Sequence, residues 1–362
     1  MAKAESASQA ASKARQARKP QSSKSAKTEH ARPDESEGTV PLELQQKCLT
    51  IFRDALRPIV DDVAILQEVK GHLYNRDFAA AFGKEEYLRA YASRWSPSRA
   101  LGYVQVLADI QDHVLPDDEL ARLGQSDQEP LEIVCLGGGA GAEVIALGGW
   151  WSVVTRSMPK TALRARFVDI AAWNDTVKTL HKQCVTAPEI SNYASAAARE
   201  ANRPMLSGDA FSCHFHQQDV LDWPENVMHT VITPTTKLVT LFFTLNELYS
   251  ASIPKTQHLL SQLTAALPAN GFLLVVDSPG SYSTVSINGA EKKYPMQWLL
   301  DHTLLSDSQQ KVGIETAARW EKVVSDESRW FRLPPGLEYP IELENMRYQM
   351  HMYRRLATKG DG

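Results

Sequence analysis

Five small residues in a row, Gly137, Gly138, Gly139, Ala140 and Gly141, follow the apolar run LEIVCL and precede the helical pattern AEVIALGGWW. Glycine lets a backbone turn sharply and approach a ligand closely, and the free N–H groups at a helix start face polar or anionic groups. A strand, this loop and a helix together make a cradle for a nucleoside cofactor. Gly137, Gly139 and Ala142 also satisfy the GxGxxG/A spacing of dinucleotide sites. The loop by itself therefore does not choose between cofactors, and a plain strand-to-helix turn could use the same residues.

Carboxylates downstream narrow the choice. Asp169 ends the run RARFVD, where a carboxylate can accept hydrogen bonds from both ribose hydroxyls; capping the helix AAWNDTV is the other use of an Asp there. Asp219, followed by Val220, lies in QQDVLDW. A carboxylate for the adenine amino group with an apolar neighbour for the ring fits S-adenosylmethionine, although Asp is also common in turns. Thr244, Asn246 and Glu247 close KLVTLFFTLNE at the edge where open α/β sheets place ligands. Thr244 is expected beside the cofactor, and Glu247 is the candidate base for a nucleophile that carries a proton. Asn246 either orients the substrate or caps a helix. Cys213, His214 and His216 are metal-binding types, but no second cluster completes four ligands, so no metal is expected.

A sheet must position these residues. After Pro130, apolar runs at 131–136, 164–169, 213–218, 238–244 and 272–277 alternate with helical patterns from about 141, 173 and 255. That rhythm predicts a parallel sheet with helices on both faces. RWEKVVSDESRWFRL and ENMRYQMHMYRRL alternate in polarity as two further strands, with SPGSYSTVSINGAEKK as a turn-rich loop ahead of the helix YPMQWLLDHTLL. Five parallel strands beside a terminal pair resemble the seven-stranded methyltransferase sheet rather than that of a dehydrogenase, and the domain is expected at residues 129–358. Residues 39–128 are expected to be helical, from stripes such as Leu49, Phe52 and Leu56, or Leu101, Val104 and Leu107. The Ala- and Ser-rich stretch 187–212 is expected to be an insertion, with no role assigned.

Residues 1–38 hold almost no large apolar side chains and are expected to be a disordered tail. Met1–Thr28 carries seven Lys or Arg against one Glu, within a formal net charge of -4 for the chain. The body is therefore acidic, and any attraction for nucleic acid must come from the tail and from local patches. The tail suits a nuclear or nucleolar address, an RNA tether or simple solubilisation. The four cysteines are widely spaced, which points to a reducing compartment, and VTLFFTL is cut off by Asn246 and Glu247 far short of a membrane span.

The segments YASRWSPSRALGY, EIVCLGGGAGAE, VDIAAWN and LVTLFFTLNELYSASIPKTQ resemble the fungal large-subunit ribosomal RNA uridine-N3 methyltransferase family. The resemblance runs from Pro41 to Leu356. It implies a Rossmann-like α/β fold, S-adenosylmethionine as cofactor, and ribosomal RNA or a pre-ribosome as partner. It also implies a nuclear or nucleolar site of action, for an enzyme expected to be a monomer. With uridine as substrate, Glu247 takes the N3 proton, Asn246 holds a uracil carbonyl, and Arg94 and Arg99 contact RNA phosphates or else form structural salt bridges. Cys135 departs from the acidic residue many methyltransferases carry in the first strand, and NPPY-type or paired-cysteine motifs are absent. A protein methyltransferase and a noncatalytic scaffold stand as the alternatives.

Overall fold

The apolar runs of the sequence become strands of one sheet in the computed structural model, which describes residues 40–58, 63–125, 129–158, 160–280, 282–287, 290–305 and 319–357. The expected disorder of residues 1–38 lies outside these. The chain opens with helices α1 (Leu42–Leu56), α2 (Val63–Tyr74), α3 (Phe78–Ala81), α4 (Glu85–Asp109), α5 (Gln111–Val114) and α6 (Asp117–Leu123). Then come β1 (Leu131–Leu136), α7 (Ala142–Ser157), β2 (Leu163–Asp169), α8 (Asn174–Val185), α9 (Ala196–Ala201), β3 (Phe211–Gln217), α10 (Glu225–Val231) and β4 (Thr236–Phe242). The rest is α11 (Leu245–Ala251), α12 (Ile253–Ala266), β5 (Phe272–Asp277), a hairpin of β6 (Tyr282–Ile287) and β7 (Ala290–Pro295), α13 (Met296–Leu305), β8 (Trp320–Phe331) and β9 (Met346–Arg355).

The sheet runs β3-β2-β1-β4-β5-β9-β8. β1 to β5 are parallel, and β9 inserts antiparallel between β5 and β8. This is the seven-stranded α/β arrangement expected from the terminal strand pair. Every residue of β1 and β5 is buried, as strands covered on both faces must be. One face packs on α1, α4, α7 and α8 through Leu49, Phe52, Val104, Trp151 and Leu180. The other packs on α10 to α13 through Met228, Tyr249, Leu260 and Leu300. The N-terminal helices α1 and α4 thus bury their apolar stripes in the same core as β1 and α7.

Two elements differ from the sequence reading. The segment read as a turn-rich loop forms the β6–β7 hairpin, in register from Tyr282↔Pro295 to Ile287↔Ala290. In addition, the stripe of Leu101, Val104 and Leu107 belongs to α4, one helix of 25 residues that begins well before it and continues through Pro97. Proline removes a helical N–H and so frees the carbonyl four residues earlier, which normally breaks a helix. Here that carbonyl, Ser93 O, takes the Tyr339 hydroxyl at 3.1 Å, and the helix continues.

Candidate active site

All five parallel strands end at one edge, and the residues singled out in the sequence gather there. β1 runs into Gly137 at φ +79°, a region that favours glycine. A Cβ on Gly137 would stand 2.2 Å from Thr244 Oγ1, and one on Gly139 would stand 2.1 Å from the Trp173 ring. The loop is glycine because Thr244 and Trp173 press directly on its backbone. Gly141 ends it as the residue before α7.

Asp169, at the end of β2, reaches back to that loop. Its Oδ2 accepts the Gly139 N–H at 3.1 Å and its Oδ1 the Ala171 N–H at 3.0 Å. Burial raises its carboxyl to about 6, against those backbone donors. The Asp169 carbonyl takes the Gln218 N–H at 2.9 Å, which ties the end of β2 to the end of β3. There Asp219 Oδ1 accepts the Leu221 N–H at 2.9 Å and caps the 3-10 turn Val220–Asp222, with Val220 buried beneath. Ile170, which the sequence reading passed over, is 61% exposed beside Asp169.

The end of β4 is kinked. Phe243 has φ +52°, held by its N–H to Val276 O at 2.7 Å and by the Arg99 guanidinium 4.9 Å above its ring. An aromatic residue in that region costs about 1–3 kcal/mol, and such positions cluster at functional sites. Thr244 is the residue before α11, but its hydroxyl donates to Phe242 O at 3.0 Å instead of capping the helix. Asp277, at the end of β5, supplies the cap: its Oδ2 accepts the Asn246 N–H at 3.0 Å and its Oδ1 the Ser278 N–H at 2.7 Å. Burial raises this carboxyl also to about 6.

With the helix start satisfied by Asp277, the side chains of Asn246 and Glu247 are left over. Asn246 Oδ1 and Glu247 Oε2 are buried acceptors without a hydrogen-bond partner. Arg76 Nη1, from the turn after α2, lies 3.9 Å from Glu247 Oε2, within ion-pair range but outside hydrogen-bonding range. Buried polar atoms are nearly always paired, and these two orphans lie at the sheet edge where open α/β folds place ligands.

The structure gives Arg94 and Arg99 protein partners. The Arg94 side chain is only 11% exposed and spends its guanidinium on Glu344 and, at 3.0 Å, on Glu342 O. Arg99 turns inward, donating to the Tyr91 hydroxyl at 2.8 Å above Phe243. Burial works against its charge, yet Tyr91, Tyr103 and Glu143 together hold the guanidinium above its usual range. RWSPSRA is thus a staple: Ser98 Oγ accepts the Glu344 N–H at 3.1 Å, and Ser96 donates to Ala140 O in the glycine loop at 2.7 Å.

Glu143 and Asp277 are site carboxylates that sequence reasoning missed. Glu143 closes the run GAGAE and passes for an ordinary acid in a helix first turn, but it is buried. Burial raises its carboxyl to about 8, with the nearby Asp169 adding to the rise and Arg99 opposing it. It lies close enough to Cys135 to push that thiol further up, so an acid stands near the position where Cys135 departs from the family pattern. The folded value lies above the unfolded one near 4.5, so the favourable contribution is complete below about 4.5 and is lost as pH rises through about 8. Thermal melts of the free protein between pH 5 and 8.5 are expected to fall with pH, and Glu143→Gln is expected to flatten that slope. An unchanged slope would remove Glu143 as its source.

Among the described residues no group of three or more His, Cys, Asp or Glu side chains could hold a metal. His214 and His216 share one face of β3, and alternation puts Cys213 on the other. Among the described residues no helix is long and apolar enough to cross a membrane.

A glycine loop after β1, a carboxylate after β2 and polar ends on β3 to β5, in a sheet closed by an antiparallel β9, define the Rossmann-like class of methyltransferases. A family model described as "Putative SAM-dependent methyltransferase" matches residues 52–354, and the chain belongs to that family. The chain is 32% identical over 292 residues to the 25S rRNA (uridine(2843)-N(3))-methyltransferase of Saccharomyces cerevisiae, covering 80% of this chain and 76% of that one. Among solved structures, an O-methyltransferase family protein from Burkholderia thailandensis matches with TM-score 0.34 at 12% identity, over 77% of this chain and 63% of that one. The chain thus spans less than two thirds of that protein. Human N-acetylserotonin methyltransferase matches with TM-score 0.31 at 13% identity, over 86% and 67%.

Proposed function

We propose that this S-adenosylmethionine-dependent methyltransferase methylates N3 of a uridine in large-subunit ribosomal RNA. The observation that carries the chemistry is the orphaned acceptor Glu247 Oε2, beside Asn246 at the kinked end of β4. The identity to the yeast uridine-N3 enzyme supports the substrate. When bound, S-adenosylmethionine supplies an electrophilic methyl carbon. The residues present fit it: Asp169 for the ribose hydroxyls, Asp219 with Val220 and exposed Ile170 for adenine, and Gly137 to Gly141 with Thr244 for the methionine part.

Uridine N3 is an imide nitrogen that carries a proton and is normally engaged in base pairing. The base must leave its stack, which costs a few kcal/mol and less in a single-stranded loop. Glu247 then takes the N3 proton through its unpartnered oxygen, while the Asn246 Nδ2 amide donates to a uracil carbonyl. The basic tail would address the enzyme, as a monomer, to pre-ribosomes in the nucleus or nucleolus.

Because Asp219 also caps a turn, Asp219→Asn is the informative change. It keeps an acceptor for Leu221 N–H but turns an amide donor toward the adenine amino group. S-adenosylhomocysteine affinity is expected to fall about tenfold with an unchanged melting temperature. Equal affinity in a calorimetric titration would remove Asp219 from the adenine site. The substrate itself is tested by incubating the protein with labelled S-adenosylmethionine and either large-subunit RNA or cell protein. Label in the RNA supports the reading, and label in protein alone refutes it.

A further inference from the structure

We propose that the exposed indole of Trp330, framed by Arg332 and Arg347, docks a single-stranded stretch of the RNA substrate that flanks the methylated base. The proposal rests on RNA being the substrate. In the β8–β9 register Trp330 faces Arg347 and Phe331 faces Met346, and in the β5–β9 register Asp277 faces Gln349. Arg347 therefore lies two residues past the partner of Asp277, at the same edge as Asn246 and Glu247. Alternation sends Phe331 and Met346 inward against Gly102 of α4, and Trp330 and Arg347 to the opposite face.

Trp330 is 43% exposed, with the guanidinium carbons of Arg332 and Arg347 at 5.1 and 5.7 Å from its ring centroid. Arg347 also donates to Ser328 Oγ at 3.1 and 3.0 Å, which fixes its plane. Among the described residues no ion pair within 4.0 Å engages Arg332 or Arg347, whereas neighbouring Arg329 is consumed by Asp109 and Asp326. Among the described residues two cations without an ion pair within 4.0 Å thus flank an exposed aromatic ring. Nucleobases stack on indole and guanidinium planes, and phosphates pair with the charges, so this chemistry fits single-stranded RNA.

The test uses the full chain and a fluorescent uridine-rich single-stranded RNA, followed by anisotropy across a salt series, with S-adenosylhomocysteine affinity as the check on folding. Trp330→Ala is expected to weaken RNA binding about tenfold and Trp330→Phe to restore most of it. Arg332→Ala with Arg347→Ala is expected to reduce the salt slope by about 1.4, two phosphates at roughly 0.7 each. Unchanged affinity and slope in variants of an enzyme that still methylates RNA would overturn this surface and leave the substrate assignment standing. No RNA binding or methylation by the unaltered protein would overturn both. Equal displacement of the RNA by a polyglutamate peptide would show a surface for acidic chains in general and overturn the choice of RNA.

Discussion

Glu247→Gln is expected to lower kcat for RNA methylation by about 100- to 10,000-fold, the range that general-base removal gives, with S-adenosylhomocysteine affinity within about twofold. Gln keeps the shape of the side chain and its place in the first turn of α11, so the fold and the Asp277–Asn246 cap are retained. What is lost is the acceptor at the buried Oε2 and the partner of Arg76, and the latter is a pair in which both side chains are more than a third exposed. Pairs of that kind contribute little to stability. Because hydroxide can remove the imide proton instead, the variant should regain rate as pH rises, more steeply than the native enzyme. Single-turnover rates across a pH series decide it. A native rate with a native pH profile would exclude Glu247 as the base.

The second large effect lies at the opposite end of the sheet and concerns folding alone. Glu132 of β1 is buried and accepts from Arg164 at 2.6 Å, from Arg166 at 2.7 Å and from the Thr233 hydroxyl. Burial alone would raise its carboxyl, but Arg166, Thr233 and Arg164 hold it down at about 2. Removing one member of a buried network leaves the remaining charges unpaired, which costs about 3–5 kcal/mol when all are buried. Arg164 is 36% exposed and water relieves it, so roughly 2–4 kcal/mol is expected for Glu132→Ala. Urea unfolding would show a lower midpoint at an unchanged slope. The native contribution is present above the unfolded value of about 4.5 and is lost as pH falls through about 2, so the difference between the two proteins should close in acid. A midpoint unchanged at neutral pH would contradict the account of this network.

The strands and the glycine loop were legible because they rest on local rules: apolar runs, period-two alternation and the backbone freedom of glycine. The β6–β7 hairpin was passed over although the sequence carries Asn288-Gly289 between two alternating runs, because the surrounding Ser, Gly and Pro read as loop. The course of α4 through Pro97 was not legible, since the group that takes the freed Ser93 carbonyl is Tyr339, far away in the chain. The same holds for Arg94 and Arg99. Residue type leaves phosphate contact and structural pairing both open, and only the fold brings Glu342, Glu344, Tyr91 and Phe243 to them. Asp277 could have been found, because FLLVVD ends in a carboxylate at the edge where the other site residues lie. Glu143 could not, because its environment is made by α4 and by the ends of β1 and β2 together.

The most direct measurement of the central claim is the nucleoside content of large-subunit RNA from cells lacking the gene, resupplied with either the native protein or Glu247→Gln. One N3-methyluridine per molecule should vanish on deletion, return with the native protein and stay absent with the variant. An unchanged N3-methyluridine content on deletion, or full restoration by Glu247→Gln, would contradict it.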